Sequence, residues 1–457
     1  MMKIAIPINK NLFNILVLFT REPFVRYFSK ELEFYRNESG RLIGFISLDY
    51  TDNDYYAAIL SRDKAKQYRA EKVIASLTTI DEARKWIDDE MASDAITMHD
   101  DKSDFFDLFE IIIEEGKLSP YFKILNEHEG YLAAKNVIKE ISYHYKDIDG
   151  NFIDQFQSIN GFDARLWELY LFCFCREQFF SFKRDSYAPD FMIEKLGHEI
   201  AIEAVIVGRK DQDTDFLTEY EPKNQEEIEK ELKNDMPLKF GSALYSKLKK
   251  EYWKKDHVKG KPLVIAVADF HETKSMLWSY PALISYLYGY EYEHYHTEEG
   301  QLVIIPVPVK EYTKSTGATV PAGFFFQPDA ENISAVINSP TATLSKFNRL
   351  GMQAGLNSQK SRLFRFGYRH DHDENAAVPL EFAYEVTQDS IENWSEGISI
   401  FHNPNALIPL DPNLFKNVTQ HFLKEDGSVL SYFPEFHPYK SMTINQLTVD
   451  KNFQKVK

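Results

Sequence analysis

A chain of 457 residues, 44% of them hydrophobic, is long enough to bury more than one core, so two or three domains are expected. Its formal net charge of −17 excludes a basic nucleic-acid wrapper, and any contact with phosphates has to come from a local patch. The two cysteines, Cys173 and Cys175, point to different faces of a helix, so neither a disulfide nor a metal pair is expected, which suits a reducing cytoplasm.

From the N-terminus, the apolar run Leu12 to Phe19 is too short to span a bilayer and lacks a small-residue cleavage site, so we read no membrane span and no signal peptide in it. Residues 1–104 read as a small α+β module. Arg41 to Asp49 and Tyr55 to Leu60 are strand-like and joined by Thr51-Asp52-Asn53-Asp54, a turn sequence. A helix follows from about Thr79 to Met91, with Ile80, Ala83, Trp86 and Ile87 on one face. Asp49, Asp52 and Asp54 lack the downstream Gly and Glu of a calcium loop and read as a polar turn. The acidic stretch 88–107 is expected to contain a linker. Helices are expected over Phe105 to Glu115 and about Glu129 to Tyr145, then turns from Asp147 to Gly161 around Asp149-Gly150-Asn151.

Phe162 to Phe182 is apolar almost all round, the mark of a buried helix, and Asp163 is placed to cap its start. Glu168 lies within it. A buried carboxylate has to be paired or bind a cation, and Arg165, three residues earlier, offers a helical ion pair. After a short strand near Phe179 to Lys183, residues 187–194 and Glu199 to Val207 read as a hairpin turning at Leu196-Gly197. Pairing outward from that turn sets Asp190 opposite Glu203. Phe191, Ile193, Ile200, Ile202, Ala204 and Ile206 then share one apolar face, while Asp190, Glu199 and Glu203 share the other. Facing carboxylates repel, so they either lie on a solvated strand face or are compensated, a hard divalent cation being the natural partner.

Residues 208–238 form a polar insertion dense in Glu (Glu226, Glu227, Glu229, Glu231), read as a helix or flap whose acidity argues against contact with DNA. In the next helix, Phe240, Leu244, Leu248 and Tyr252 form an apolar stripe with Lys247 at its border. Lys247 is either a snorkelling surface lysine or a cation turned toward the acidic residues. Lys247, Lys249, Lys250, Lys254, Lys255, Lys259 and Lys261 fall within fifteen residues, against Glu251 and Asp256. That run is either a solvated face or a phosphate-binding patch. Leu263 to Ala268 reads as a strand buried on both faces. Gln301 to Val309 and Asn332 to Asn338 are expected to extend its sheet. Lys346 and Arg349, with Arg362, Arg365 and Arg369, form a second basic region suited to a nucleic-acid backbone. His370-Asp371-His372-Asp373 and the pair His294/His296 lack the spaced partners of a structural zinc site. A last strand is expected at Gly397 to Phe401, and the tail from about Asp411 reads as loop.

Over about residues 160–270, the helix carrying Glu168, the Pro189-Asp190 pair and Glu203 on the next strand occur in an order that resembles the PD-(D/E)xK nuclease superfamily. The resemblance implies an α/β protein with a restriction-endonuclease-like α-β-β-β-α-β core and a mixed sheet within 105–345. That core would be flanked by the N-terminal module and a C-terminal extension, 346–457. It further implies that Glu168, Asp190 and Glu203 are catalytic and hold Mg²⁺ or Mn²⁺. The family places a Lys two residues after the strand Glu; here that position is Val205, and Lys247, from a neighbouring helix as in some members, is the candidate catalytic replacement. The expected function is a metal-dependent endonuclease acting on DNA through Lys247, Lys249, Lys250 and Lys254, in bacterial restriction or antiphage defence, as a homo-oligomer or in a protein complex. A catalytically inactive nuclease-fold module that binds nucleic acid or protein is the alternative, favoured by Val205 and the net acidity. Hydrolysis of a small phosphate substrate is a third reading, although a Gly-rich phosphate loop is absent from the sequence.

Overall fold

Near the N-terminus, alternating apolar residues on successive short strands build a sheet with two usable faces. The structure, a computed structural model, describes residues 5–93, 107–147, 150–183, 188–209, 223–313, 317 and 319–448. Most of the expected acidic linker, Asp149 of the expected turn and the centre of the 208–238 insertion lie outside the described residues. β1 (Ile6–Pro7), β2 (Ser29–Arg36), β3 (Leu42–Asp49), β4 (Tyr55–Arg62) and β5 (Tyr68–Leu77) form one antiparallel sheet in chain order, with α1 (Lys10–Val17) between β1 and β2. α1 sets Phe13 and Val17 on the face that carries Phe34, Ile43 and Leu60. α2 (Ile80–Ala92) packs Ala83, Ile87 and Met91 on the opposite face, against Leu42, Ile46, Ala57 and Ile59. The start of α2 is fixed by reciprocal bonds between Thr79 and Glu82. The two expected strands and the expected helix are present as β3, β4 and α2, with β1, α1, β2 and β5 in addition.

A helical layer follows: α3 (Pro120–Glu127), α4 (Leu132–Ser142), α5 (Phe152–Gln157) and α6 (Phe162–Glu177). Two expectations are corrected here. The described part of Phe105 to Glu115 is not a helix. Its backbone bonds to Gln157 instead, whose side chain takes the Ile112 N–H and donates to the carbonyls of Leu108 and Glu110. Residues 152–157, within the stretch read as turns, form α5, which is too short for its periodicity to stand out.

The central sheet has eight strands. β6 (Ser181–Phe182), β7 (Phe191–Lys195) and β8 (His198–Val207) are antiparallel; α7 (Gln225–Lys233) and α8 (Asp235–Leu248) then lead to β9 (Leu263–Asp269), parallel to β8 and buried throughout. The next segment holds α9 (Tyr280–Tyr288) and the strands β10 (Tyr290–His296), β11 (Leu302–Pro308), β12 (Glu311–Thr313) and β13 (Thr319–Pro321). β11 does not extend the central sheet, as had been expected, but pairs with β10 in a separate hairpin, and β12 pairs with β13. β14 (Ala335–Asn338) does extend it, parallel to β9. After α10 (Leu344–Gln353), β15 (Ser361–Arg369) and β16 (Leu380–Val386), the strands β17 (Ser399–His402), β18 (Thr419–Leu423) and β19 (Val429–Tyr432) complete the order β19-β18-β17-β14-β9-β8-β7-β6. β20 (Pro438–Leu447) joins β15 and β16 in a three-stranded sheet. The tail read as loop thus supplies three strands, and strands on both sides of residue 345 share one sheet. The chain is a mixed α/β protein.

The two faces of that sheet bury different helices. Phe191, Ile193, Ile200, Ile202 and Ala204 lie against α6, whose Trp167 Nε1 donates to the Ala266 carbonyl at 3.0 Å. Met192, Ala201, Ile265 and Val267 lie against α8 and α9. Cys173 and Cys175 are unpaired and buried in α6. Among the described residues no helix is long and apolar enough to cross a membrane.

Three members of the second basic region do not face solvent. Lys346, Arg349 and Arg365 are each at most 1% exposed and surround Glu392, itself 5% exposed. Arg349 binds Glu392 in bidentate fashion at 2.7 Å for both bonds, and Arg365 binds Glu396 at 2.7 Å. These cations are internal counterions, and Arg362 is paired on the surface with Glu385. Burial alone would raise the Glu392 pKa, but Arg349, Arg365 and Lys346 outweigh it and hold the carboxyl well below its usual range. Glu392→Gln, which strands three buried cations, is expected to lower stability by about 3–5 kcal/mol in denaturant unfolding at neutral pH. Because the folded-state pKa is depressed, the difference between wild type and variant should be full above about pH 5 and shrink as pH falls below about 4. An unchanged difference at low pH would contradict this assignment.

Candidate active site

The expected hairpin register is present: Lys195 pairs with His198, Ile193 with Ile200 and Phe191 with Ile202. β7 begins at Phe191, so β8 outruns it from Glu203 onward. Asp190, just ahead of β7, serves that open edge. Its Oδ2 accepts the Ala204 N–H at 2.7 Å, and its own N–H donates to Glu203 Oε2 at 3.3 Å. His257 steadies the approach to this turn through a ring contact of 2.9 Å with the Ala188 carbonyl. Asp190 and Glu203 are therefore neighbours, as the pairing predicted.

Their face is not a solvated one. Met192, Ala201 and Val205 lie beneath the helices on that side, and Glu203 is 3% exposed. A carboxylate so placed requires compensation. The apolar stripe Phe240, Leu244 and Leu248 phases α8 so that Lys247 points at the sheet, and its Nζ reaches Glu203 Oε1 at 2.5 Å. Tyr252 donates to the same oxygen at 2.7 Å. Glu199 sits at the far end of the hairpin between Lys183 and Lys261 and is remote from this pair's hydrogen bonds.

Glu168 comes from α6 on the opposite face. It is 8% exposed and closed by Arg165, whose Nη1 lies 3.0 and 2.8 Å from its two oxygens, with the Tyr145 hydroxyl at 3.2 Å. The three carboxylates still act on one another. Burial first, then Glu203 and Glu168, push the Asp190 pKa well above the carboxylate range, against the Ala204 N–H and Lys247. Burial also raises Glu168, with Arg165 and Tyr145 opposing and Glu203 adding to the rise. As arranged, no three His, Cys, Asp or Glu among the described residues are grouped closely enough to hold a metal ion. Asp190 and Glu203 supply hard oxygen donors, and Asp190 Oδ1 accepts no hydrogen bond among the described residues. That donor set fits Mg²⁺ or Mn²⁺ chemistry.

Of the lysine run, Lys247 is committed to Glu203, Lys249 lies over the Tyr245 ring at 4.6 Å and Lys254 pairs with Glu251 at 2.6 Å. Lys249, Lys250, Lys254 and Lys259 are exposed beside the end of α8. The histidine clusters carry other bonds: His370 stacks on Phe433 at 3.7 Å, His372 meets the Glu435 carbonyl and His296 the Asn375 carbonyl. Asp163 does not cap α6, whose first turn begins at Gly161; it pairs with Arg209 at 3.6 Å. Sequence reading missed Tyr145 and the bond from the Tyr252 hydroxyl to Glu203. Tyr252 was legible only as the last apolar step of the stripe, and nothing local ties Tyr145 to Glu168. It also missed Asp269 and His271, joined at 2.7 Å at the end of β9. No protein-family model, curated protein or solved structure matches the chain.

A carboxyl whose pKa is raised in the folded state is destabilising once ionised. Asp190→Asn keeps an acceptor for the Ala204 N–H and removes the charge. It is expected to raise Tm by about 2–5 °C at pH 7–8, an advantage that disappears below about pH 4, where the wild-type carboxyl is protonated in both states. Differential scanning calorimetry across pH checks this; a lower Tm for the variant at pH 8 would refute the like-charge crowding.

Proposed function

We propose that the chain is a metal-dependent nuclease with a restriction-endonuclease-like core that hydrolyses phosphodiester bonds in DNA. The observation that carries this reading is the contact from Lys247 to Glu203 beside Asp190. A cation delivered by α8 stands next to the strand carboxylate, where Val205 can offer none. Asp190 and Glu203 would hold Mg²⁺ or Mn²⁺, joined by Glu168 when Arg165 releases it. The bound ion would polarise the scissile phosphate and favour hydroxide at neutral pH. Lys247 would offset negative charge on the phosphate oxygens, and Tyr252 would keep Glu203 oriented. The exposed Lys249, Lys250 and Lys254 would receive the backbone of the substrate.

One observation favours a second reading, an inactive module of the same fold that binds nucleic acid or protein. Both Glu168 oxygens are held by Arg165, and Glu203 Oε1 already has two donors. Cleavage of plasmid DNA and of RNA with Mg²⁺ or Mn²⁺ separates the two. The nuclease reading expects cutting by the wild type and a loss of about a hundredfold or more in Asp190→Ala and Glu203→Ala at retained fold. It also expects Mg²⁺ to raise Tm in the wild type and not in Asp190→Ala. No cutting by the wild type with either metal leaves the binding module. If Lys247→Met cuts at the wild-type rate, the role of the lysine fails while that of the carboxylates survives.

A further inference from the structure

A well-formed cavity lies away from the carboxylates, between the N-terminal sheet, α1 and the start of β2, with a volume of about 730 Å³. That is within the usual range for small-molecule sites, about 300–1,000 Å³. Its walls are aromatic, including Phe13, Phe45, Tyr56 and Tyr68. Phe13 and Phe45 lie 5.5 Å apart, and Phe45 meets Tyr56 edge-on at 6.0 Å, so flat ring surfaces line the interior. The sign of its charge is opposite to that of the chain. Lys10, Arg21, Arg26, Lys30 and Arg69 line it against Glu22 and Glu31, in a protein of net charge −17.

Two of these cations are already matched. Arg21 forms a bidentate pair with Glu31, and Arg69 is paired with Asp63 at 2.9 Å. Arg26 differs. Among the described residues its guanidinium makes no hydrogen bond or ion pair; it lies over the Phe179 ring at 4.2 Å. Burial and the nearby Arg21 lower its pKa to about 10, with the more distant charges of Glu31 and Glu177 opposing, so it remains a cation at neutral pH with no direct anionic partner among the described residues. The cavity is also held in shape. Arg176 donates to the carbonyls of Leu18, Phe19 and Arg21, and Phe19 is stacked between Phe172 at 4.2 Å and His144 at 5.2 Å. At the rim, Val25, Tyr50 and Val73 are 44%, 55% and 61% exposed, an uncovered apolar border beside the exposed Lys10, Lys30 and Arg69.

We propose that this cavity binds a small planar aromatic anion of the nucleotide class, its ring against the aromatic wall and its phosphate on Arg26. Flat rings recognise a base without sequence preference, and a guanidinium suits phosphate geometry. The site is separate from the carboxylates and does not depend on the nuclease reading.

Calorimetric titration of the full chain with AMP, GMP, CMP and UMP tests it, with adenosine, inorganic phosphate and decanoate as probes lacking the charge, the ring and the ring, respectively. Saturable binding of at least one nucleotide is expected, at least about tenfold tighter than adenosine, phosphate or decanoate. Arg26→Gln should weaken nucleotide binding about tenfold or more and leave weak adenosine binding unchanged, while Arg26→Lys retains part of the affinity. Asp190→Ala should bind as the wild type does, which separates this cavity from the carboxylate site. Because Arg26 forms no ion pair, its replacement is expected to keep Tm; Val25→Trp, at the exposed rim, is a second variant expected to block entry without touching the fold. No saturable nucleotide binding at millimolar concentration, equal or tighter binding of decanoate, or nucleotide affinity unchanged in Arg26→Gln would each overturn the proposal.

Discussion

Glu203 imposes the central constraint. It sits near the middle of a ten-residue strand, on a face covered by helices, where an ionised carboxylate without partners is costly by several kcal/mol. The surroundings are arranged to neutralise it. The apolar stripe of α8 fixes the helix phase, and that phase delivers Lys247; the chain then turns through Glu251 in the left-handed region, bringing Tyr252 to the same oxygen. The late start of β7 leaves the edge of β8 free, which lets Asp190 bond the Ala204 N–H in place of a strand partner. A lysine on the strand at position 205 is unnecessary for compensation once α8 supplies one from above.

The same principle governs the C-terminal part of the chain. Glu392 is enclosed by cations from α10 and β15, and the Gln353 side chain closes the arrangement with bonds to both backbone groups of Glu392. The segment between β16 and β17 is thereby tied to α10. Since β17 follows directly and pairs with β14, this ionic centre positions the half of the central sheet that lies beyond β9. A negatively charged chain thus keeps several of its positive side chains inside.

What was legible in the sequence follows from range. The β7–β8 register, the two faces of the hairpin, the buried run of β9 and the stripe of α8 are set by residues close in sequence, and alternation or helical spacing reveals them. The neighbourhood of Asp190 and Glu203 follows from a two-residue turn. The fate of Lys346, Arg349 and Arg365 was not legible because their partners lie up to fifty residues away and a basic cluster reads alike whether it is solvated or buried around acids. β18, β19 and β20 were missed for a related reason: their alternation is broken by polar residues, and only pairing with distant strands makes them regular. Lys247 illustrates the reverse case: the spacing of the stripe places it at the border of α8, and only tertiary placement turns it to Glu203, beside Val205.

Arg165 decides how tightly Glu168 is held apart from Asp190 and Glu203. It neutralises Glu168, yet its guanidinium is also held from α5 and the turn before it, by Gln155 at 2.8 Å through Nε and by Asn151 at 3.1 Å. If Glu168 turns toward Asp190, Arg165 keeps these partners and is not left stripped of hydrogen bonds, so the loss is confined to one ion pair and the Tyr145 bond. An arriving divalent cation would replace one positive partner by another of higher charge, and it would also relieve the repulsion that Glu203 and Glu168 exert on Asp190. The short helix α5, invisible in the pattern of residues, therefore has a mechanical part here: it anchors the arginine that closes Glu168, and it gives that arginine hydrogen-bond partners besides the carboxylate.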